Sequence, residues 1–387
     1  MGRFSNSTPV FVTPVFLAPT STPDLQPIST ADVPQPWAEI LGKIPLSLKE
    51  QGIWFGNRNG ALEAAGIPVF TSVAELQALS QSEREAYSLA LADVVLSPAL
   101  VGSMRSELRE WIDVFGIDPF SVSLAVSTGA TSAYPLGPIY LEGSFDQADI
   151  SQKLADLGYT EMEAGGENYF STRGDYQADL RDPEARLALN KLNRVFVSEG
   201  TIVTAPATEL VAGFLETWSG DEPALSFDAP LVGLLGSIGD FLSVGVLDRQ
   251  TVLEPNGADP LEYTKPTGWG TLHAWDLFVA GYNASDEGRS LTLGLFYTDA
   301  GDASADADEL VERMRSYTTN VAERYPQATA LVDAWPDRPL DQMCTEITST
   351  VEPTSEGSVL VVKCPLSEDS FRWHQLIDQR DLGFLLP

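Results

Sequence analysis

Apolar positions along the chain follow a helical period up to about residue 116 and a strand period soon after it. Residues 37–70 read as a short entry unit, with Ile53-Trp54-Phe55 as a strand running into a Gly/Asn turn at Gly56–Gly60. Helices are expected next. Ser72-Val-Ala-Glu75 and Ser80-Gln-Ser-Glu83 both match the capping box, in which a side chain satisfies an orphan amide at a helix start. Ala86, Tyr87, Ala90, Leu91, Val94 and Val95 recur at helical spacing, and a further helix from Met104 to Phe115 stops at Gly116. Trp111 on that helix reads as core.

From Asp118 the pattern changes. Val122–Val126 and Ile139–Gly143 read as strands. Residues 145–159 read as a helix, with Asp146 as cap, Ile150, Leu154 and Leu157 on one face, and Gly158 as terminator. Tyr169-Phe170 lies in a strand, and residues 194–197 and 201–204 form a hairpin around Ser198-Glu199-Gly200. Thr208–Trp218 and Leu231–Ile238 read as helices, and Phe241–Leu247 as a strand. The second half repeats this logic in outline: strands at Asp276–Ala280 and Leu291–Tyr297, a helix over Ala307–Tyr325, then a hairpin between Cys344 and Cys364. The expected class is therefore α+β, antiparallel sheets with packed helices, in two related strand-strand-helix-hairpin units. The halves share no close residue identity. Three segments follow: a tether over 1–36, an α+β domain over 37–250 with a helical N-terminal part, and a second α+β domain over 251–387. Composition breaks at Pro255–Pro260 and Lys265-Pro266.

The first 36 residues carry seven prolines and only Arg3, Asp24 and Asp32 as charges, which favours an extended, semi-rigid tether over helix or ladder. No charged and then apolar leader precedes it in this numbering, and no apolar run reaches the roughly 18 residues of a membrane span. Pairing of the Cys344–Cys364 segment about residue 354 sets the two cysteines opposite each other, within disulfide reach. Two buried free thiols are the alternative. A disulfide points to an oxidising compartment, hence a secreted, periplasmic or lipid-anchored cell-surface location.

Charge narrows the partners. With 55 acidic and 23 basic residues the net charge is −32, which repels phosphate backbones and anionic lipid surfaces. Nucleic acid is thereby disfavoured as a partner, while a protein or small-molecule ligand remains open. His273 and His374 are the only histidines, too few for a multi-histidine metal centre. Each sits beside a tryptophan and reads as a half-buried structural imidazole. The run Leu235-Gly-Ser-Ile-Gly239 lacks the first glycine of a nucleophile elbow, and no phosphate-cradling Gly-Lys-Ser/Thr loop occurs. Gly233, Gly236 and Gly239 suggest close helix packing.

Two sets of residues stand out as candidate sites. The acidic loop Asp299–Glu309, with Asp299, Asp302, Asp306 and Asp308, offers oxygens for calcium, though its spacing is not that of an EF-hand. Acidic residues at a helix start, favoured by the macrodipole, are the alternative, and no other cofactor is expected. Trp269, flanked by Gly268 and Gly270, with Tyr263 and Trp275, forms a candidate ligand platform, and core use of these aromatics is the alternative.

The segments YLEGSFDQADISQKLADLGY, EAGGENYFS and NRVFVSEGTIVTAPATELVAGFLE resemble uncharacterised exported, lipoprotein-like bacterial proteins over residues 37–250. That resemblance implies location and architecture, and transfers no catalytic motif. The expectation is an extracytoplasmic, non-enzymatic binding or surface-structural protein. A hydrolase using paired carboxylates, which needs no histidine, is the alternative.

Overall fold

The computed structural model describes residues 29–70, 72–92, 94, 108–129, 137–179, 181, 187–253, 269–285, 288–318, 340–367, 373 and 382–386. Its strands are β1 (Ile53–Asn57), β2 (Val122–Thr128), β3 (Ile139–Gly143), β4 (Thr160–Ala164), β5 (Glu167–Ser171), β6 (Arg194–Val197), β7 (Thr201–Ala205), β8 (Ser243–Asp248), β9 (Leu277–Ser285), β10 (Gly288–Tyr297), β11 (Thr348–Pro353) and β12 (Ser358–Pro365). Its helices are α1 (Trp37–Leu41), α2 (Arg58–Ala64), α3 (Val73–Ala78), α4 (Gln81–Ala90), α5 (Leu108–Phe115), α6 (Gln147–Asp156), α7 (Thr208–Ser219), α8 (Ala229–Ile238), α9 (Arg249–Leu253) and α10 (Ala300–Ser316). The fold is α+β, as the alternating periods indicate.

All twelve strands join one antiparallel sheet in the order β11-β12-β10-β9-β8-β1-β2-β3-β7-β6-β5-β4. Read outward from the central β1–β8 ladder, one side runs β1-β2-β3-β7-β6 and the other β8-β9-β10-β12-β11. Each side is built as strand, short helix, strand, strand, helix and hairpin, and the helices α3, α4 and α5 and the β4–β5 hairpin are additions to the first. β1 and β8 are antiparallel, and read outward from their ladder the first five strands of each side follow the same chain order. The β8–β9 ladder carries the sheet across residue 250 without interruption.

The repeat extends to local chemistry. β1 ends at Asn57, whose side chain accepts from Gly60 N, and β8 ends at Asp248, whose side chain accepts from Thr251 N. Each is an N-cap that turns a strand directly into a helix, and each is followed by arginine, Arg58 or Arg249. The expected Gly/Asn turn after Phe55 is thus a helix start, because Asn57 captures the amide that a turn would leave free.

One face of the sheet packs under α2, α4, α5, α6 and α10, with Trp111, Phe115, Leu154, Phe278, Leu310 and Trp373 in the core. The other packs under α1, α7 and α8, with Trp37 stacked on Phe241 at 5.2 Å and edge-on to Phe55. Alternation along β12 feeds both cores: Leu360, Val362 and Cys364 face one, Val359 and Val361 the other. Gly233 and Gly236 let α8 approach Thr354 and Asp32 closely, a Cβ at either lying about 3.0 or 3.3 Å from them. The two sheet edges are guarded by charge and proline, Glu161 and Glu163 on β4 and Glu352-Pro353 on β11.

Cys344 and Cys364 form a disulfide, with Cα atoms 5.1 Å apart. The ladder is centred later than residue 354, since Pro353 pairs with Ser358 and Thr348 with Lys363. Cys344 accordingly bridges to Leu366 rather than facing Cys364, and the sulfurs meet on the diagonal.

Candidate functional site

The expected acidic loop is the start of α10. Asp299 is its N-cap and accepts from Gly301 N at 2.7 Å, so the helix begins seven residues before Ala307, where its apolar face becomes dense. The four aspartates do not converge. Asp308 is exposed, Asp299 is held by capping, and Asp306 is buried and occupied. One Asp306 oxygen faces His273 Nδ1 at 2.7 Å, while the other accepts from the His273 backbone N–H at 2.7 Å and from the Tyr297 hydroxyl at 2.9 Å. Among the described residues no group of three or more His, Cys, Asp or Glu side chains is placed to hold a metal ion.

His273 is thereby fixed to α10 by its ring and its backbone, with Asp302 Oδ1 3.7 Å from Nε2. The hydrogen bond and charge of Asp306, reinforced by Asp302 and Asp299, raise its pKa above the ordinary value of 6.5. Burial and Asp306 together push the Tyr297 hydroxyl up. A carboxylate–imidazole pair of this kind orients Nε2 as a base, but among the described residues its recorded neighbour there is Asp302 rather than the hydroxyl or thiol of a nucleophilic triad. It works as a latch. A raised folded-state pKa means its stabilisation is complete below pH 6.5 and is lost as pH rises through the folded value. Melting temperature of the native chain minus that of His273→Ala is therefore expected to be larger at pH 5.5 than at pH 8.5. A difference independent of pH would remove the latch.

The aromatic platform separates into different environments. Trp275 is fully buried, its indole N–H reaching Leu385 O at 3.4 Å, and acts as core. Trp269 is partly buried, bonds Ser316 Oγ at 3.0 Å, and lies over the Arg313 guanidinium at 5.2 Å. Tyr263 and His374 lie outside the described residues. Arg313 has no solvent exposure and ties three segments together. It binds Glu309 at 2.8 Å, Gly270 O at 2.6 Å, Phe384 O at 3.3 Å and Leu386 O. The strip along α10 is thus saturated by its own chain.

An open site lies elsewhere. A cleft of about 860 Å³ opens beside the end of β8, walled by Lys49 and Glu50, the start of α9 (Asp248–Thr251), Asp276 and Leu277 where β9 begins, Phe296 of β10 with Thr298 just beyond it, and Pro230 and Glu356. Its polar groups differ in how fully they are used. Lys49 pairs with Asp228 at 2.5 Å, Asp248 caps α9, and Asp276 accepts from Thr298 Oγ1 at 2.7 Å. Arg249 contrasts with them: its Nε is buried and has no hydrogen-bond partner. No motif announces this site, because its walls come from six separate stretches of sequence.

No family model matches the chain, and no curated protein matches it. Among solved structures it is similar to one titled "Structure of crystal form I of TP0453", at 8% identity and a TM-score of 0.34, over 88% of this chain and 96% of that one. Such a distant likeness bears on neither the fold nor the function argued below.

Proposed function

We propose that the protein works outside the cytoplasm as a non-enzymatic binding protein that receives a small polar ligand in the cleft beside α9. The observation that carries this reading is Arg249, which lines the cleft and whose Nε has no hydrogen-bond partner among the described residues. The Arg249 side chain as a whole is only partly buried, so its guanidinium is available to an acceptor entering the cleft. Volume and composition agree, since ligand sites combine apolar walls, here Pro230, Leu277 and Phe296, with a few polar groups that fix orientation. The Cys344–Cys364 bridge, the tether composition and the acidic surface support the location. The cleft carboxylates Asp248 and Asp276 already serve a helix cap and a threonine, which favours binding over paired-carboxylate hydrolysis.

The test is a melting-temperature screen with chemically diverse small polar molecules, run on the native chain and on Gln250→Trp. Gln250 is an exposed wall residue, so tryptophan there fills the cleft without touching the core. A ligand at a hundred times its Kd stabilises by about 2.7 kcal/mol. At least one compound is expected to raise the melting temperature of the native chain and not of the variant. Equal shifts in both, or none across the screen, would refute the cleft as the site.

A further inference from the structure

Arg58 and Arg249 occupy the same place in the two halves of the sheet, each one residue beyond the Asx cap that ends a central strand. Arg58 shows what that position demands. It is buried, donates to Phe70 O at 2.7 Å and Asn59 Oδ1 at 3.2 Å, and lies 5.9 Å from the ring centroids of both Tyr87 and Phe120. In the first half, then, the protein itself supplies oxygen acceptors to the guanidinium. In the second half Arg249 lines the cleft, and its Nε has no hydrogen-bond partner among the described residues.

Charge decides what kind of acceptor fits. The walls also hold Glu50, Asp248, Asp276 and Glu356, against Lys49, which Asp228 already neutralises. A simple anion would enter against this local field and against the net −32 of the chain. A simple cation would leave Arg249 unmet. A molecule carrying both charges satisfies both walls, and the apolar surface of Leu277, Phe296 and Pro230 leaves room for a hydrophobic substituent.

We infer that the cleft takes a zwitterionic ammonium carboxylate of the amino-acid class, its carboxylate on Arg249 and its ammonium toward Glu50 and Glu356. The inference rests on the cleft being the binding site and adds the ligand's chemical class. Titration calorimetry with phenylalanine, N-acetylphenylalanine and phenylalaninamide tests it, because the two derivatives each remove one charge. Phenylalanine is expected to bind one per chain, with each derivative weaker by about 10- to 100-fold, the range of a lost charge-assisted hydrogen bond. Arg249→Met is expected to weaken phenylalanine by a similar factor while melting no lower than the native chain, and Glu356→Gln by less. Equal binding of phenylalaninamide and phenylalanine, or undiminished binding by Arg249→Met, would overturn the assignment. If a compound from the melting screen binds in the cleft but phenylalanine does not, the ligand class is wrong and the binding reading stands. If no compound binds there, both fall.

Discussion

Arg313→Met is expected to lower the unfolding free energy by about 3–5 kcal/mol, measured by urea denaturation, because it removes one member of a buried charged network. The guanidinium has no solvent exposure and serves Glu309 together with the carbonyls of Gly270, Phe384 and Leu386. Methionine replaces the volume but none of the donors. Glu309, a quarter exposed, can turn toward water, whereas the carbonyls lose their partner inside the protein. The loss should also free residues 384–386 from α10, so tryptic cleavage near the C-terminus is expected to quicken. A loss below about 1 kcal/mol would mean that the network is not a main fastener of the C-terminal segment.

Breaking the disulfide is the other large perturbation. Cys344 and Cys364 are 20 residues apart, and closing a loop of this order stabilises a chain by about 3 kcal/mol. The bridge holds the residues leading into edge strand β11 to β12, beside core residues Ile347 and Leu366. The double variant Cys344→Ser/Cys364→Ser is expected to show that loss, and dithiothreitol should produce the same shift in the native chain. No free thiol should be found in the denatured, unreduced protein. Two thiols per chain would cancel this prediction and withdraw the main support for an oxidising location.

Much of the architecture was legible because local signals agreed with tertiary needs. Ser80 and Asp146 cap helices where their spacing indicates, and the apolar runs at 122–126, 139–143 and 291–297 are strands that face two cores. The errors lie where a single polar side chain decides the outcome. Asn57 starts a helix where its neighbours suggest a turn, and Asp299 starts α10 well before its apolar face becomes dense. Gly281–Ser285, in which only Tyr282 and Ala284 are apolar, extends β9 through backbone pairing with Gly288–Thr292. For the candidate site the limit is contact across the chain. His273 and Asp306 are 33 residues apart, so neither the latch nor the depth of Trp275 follows from spacing. Arg249 looks like any surface arginine until β8, β9, β10 and residues 49–50 are assembled around it.

Hydrogen exchange, measured with and without a saturating compound selected by the melting screen, tests most directly whether the cleft beside α9 is the binding site. Slower exchange is predicted at residues 49–50, 248–251 and 276–277, which wall the cleft, with no change at 269–273, where the chain is already fastened to α10. Slowing confined to 269–273, or no slowing along the walls of the cleft, would contradict the account.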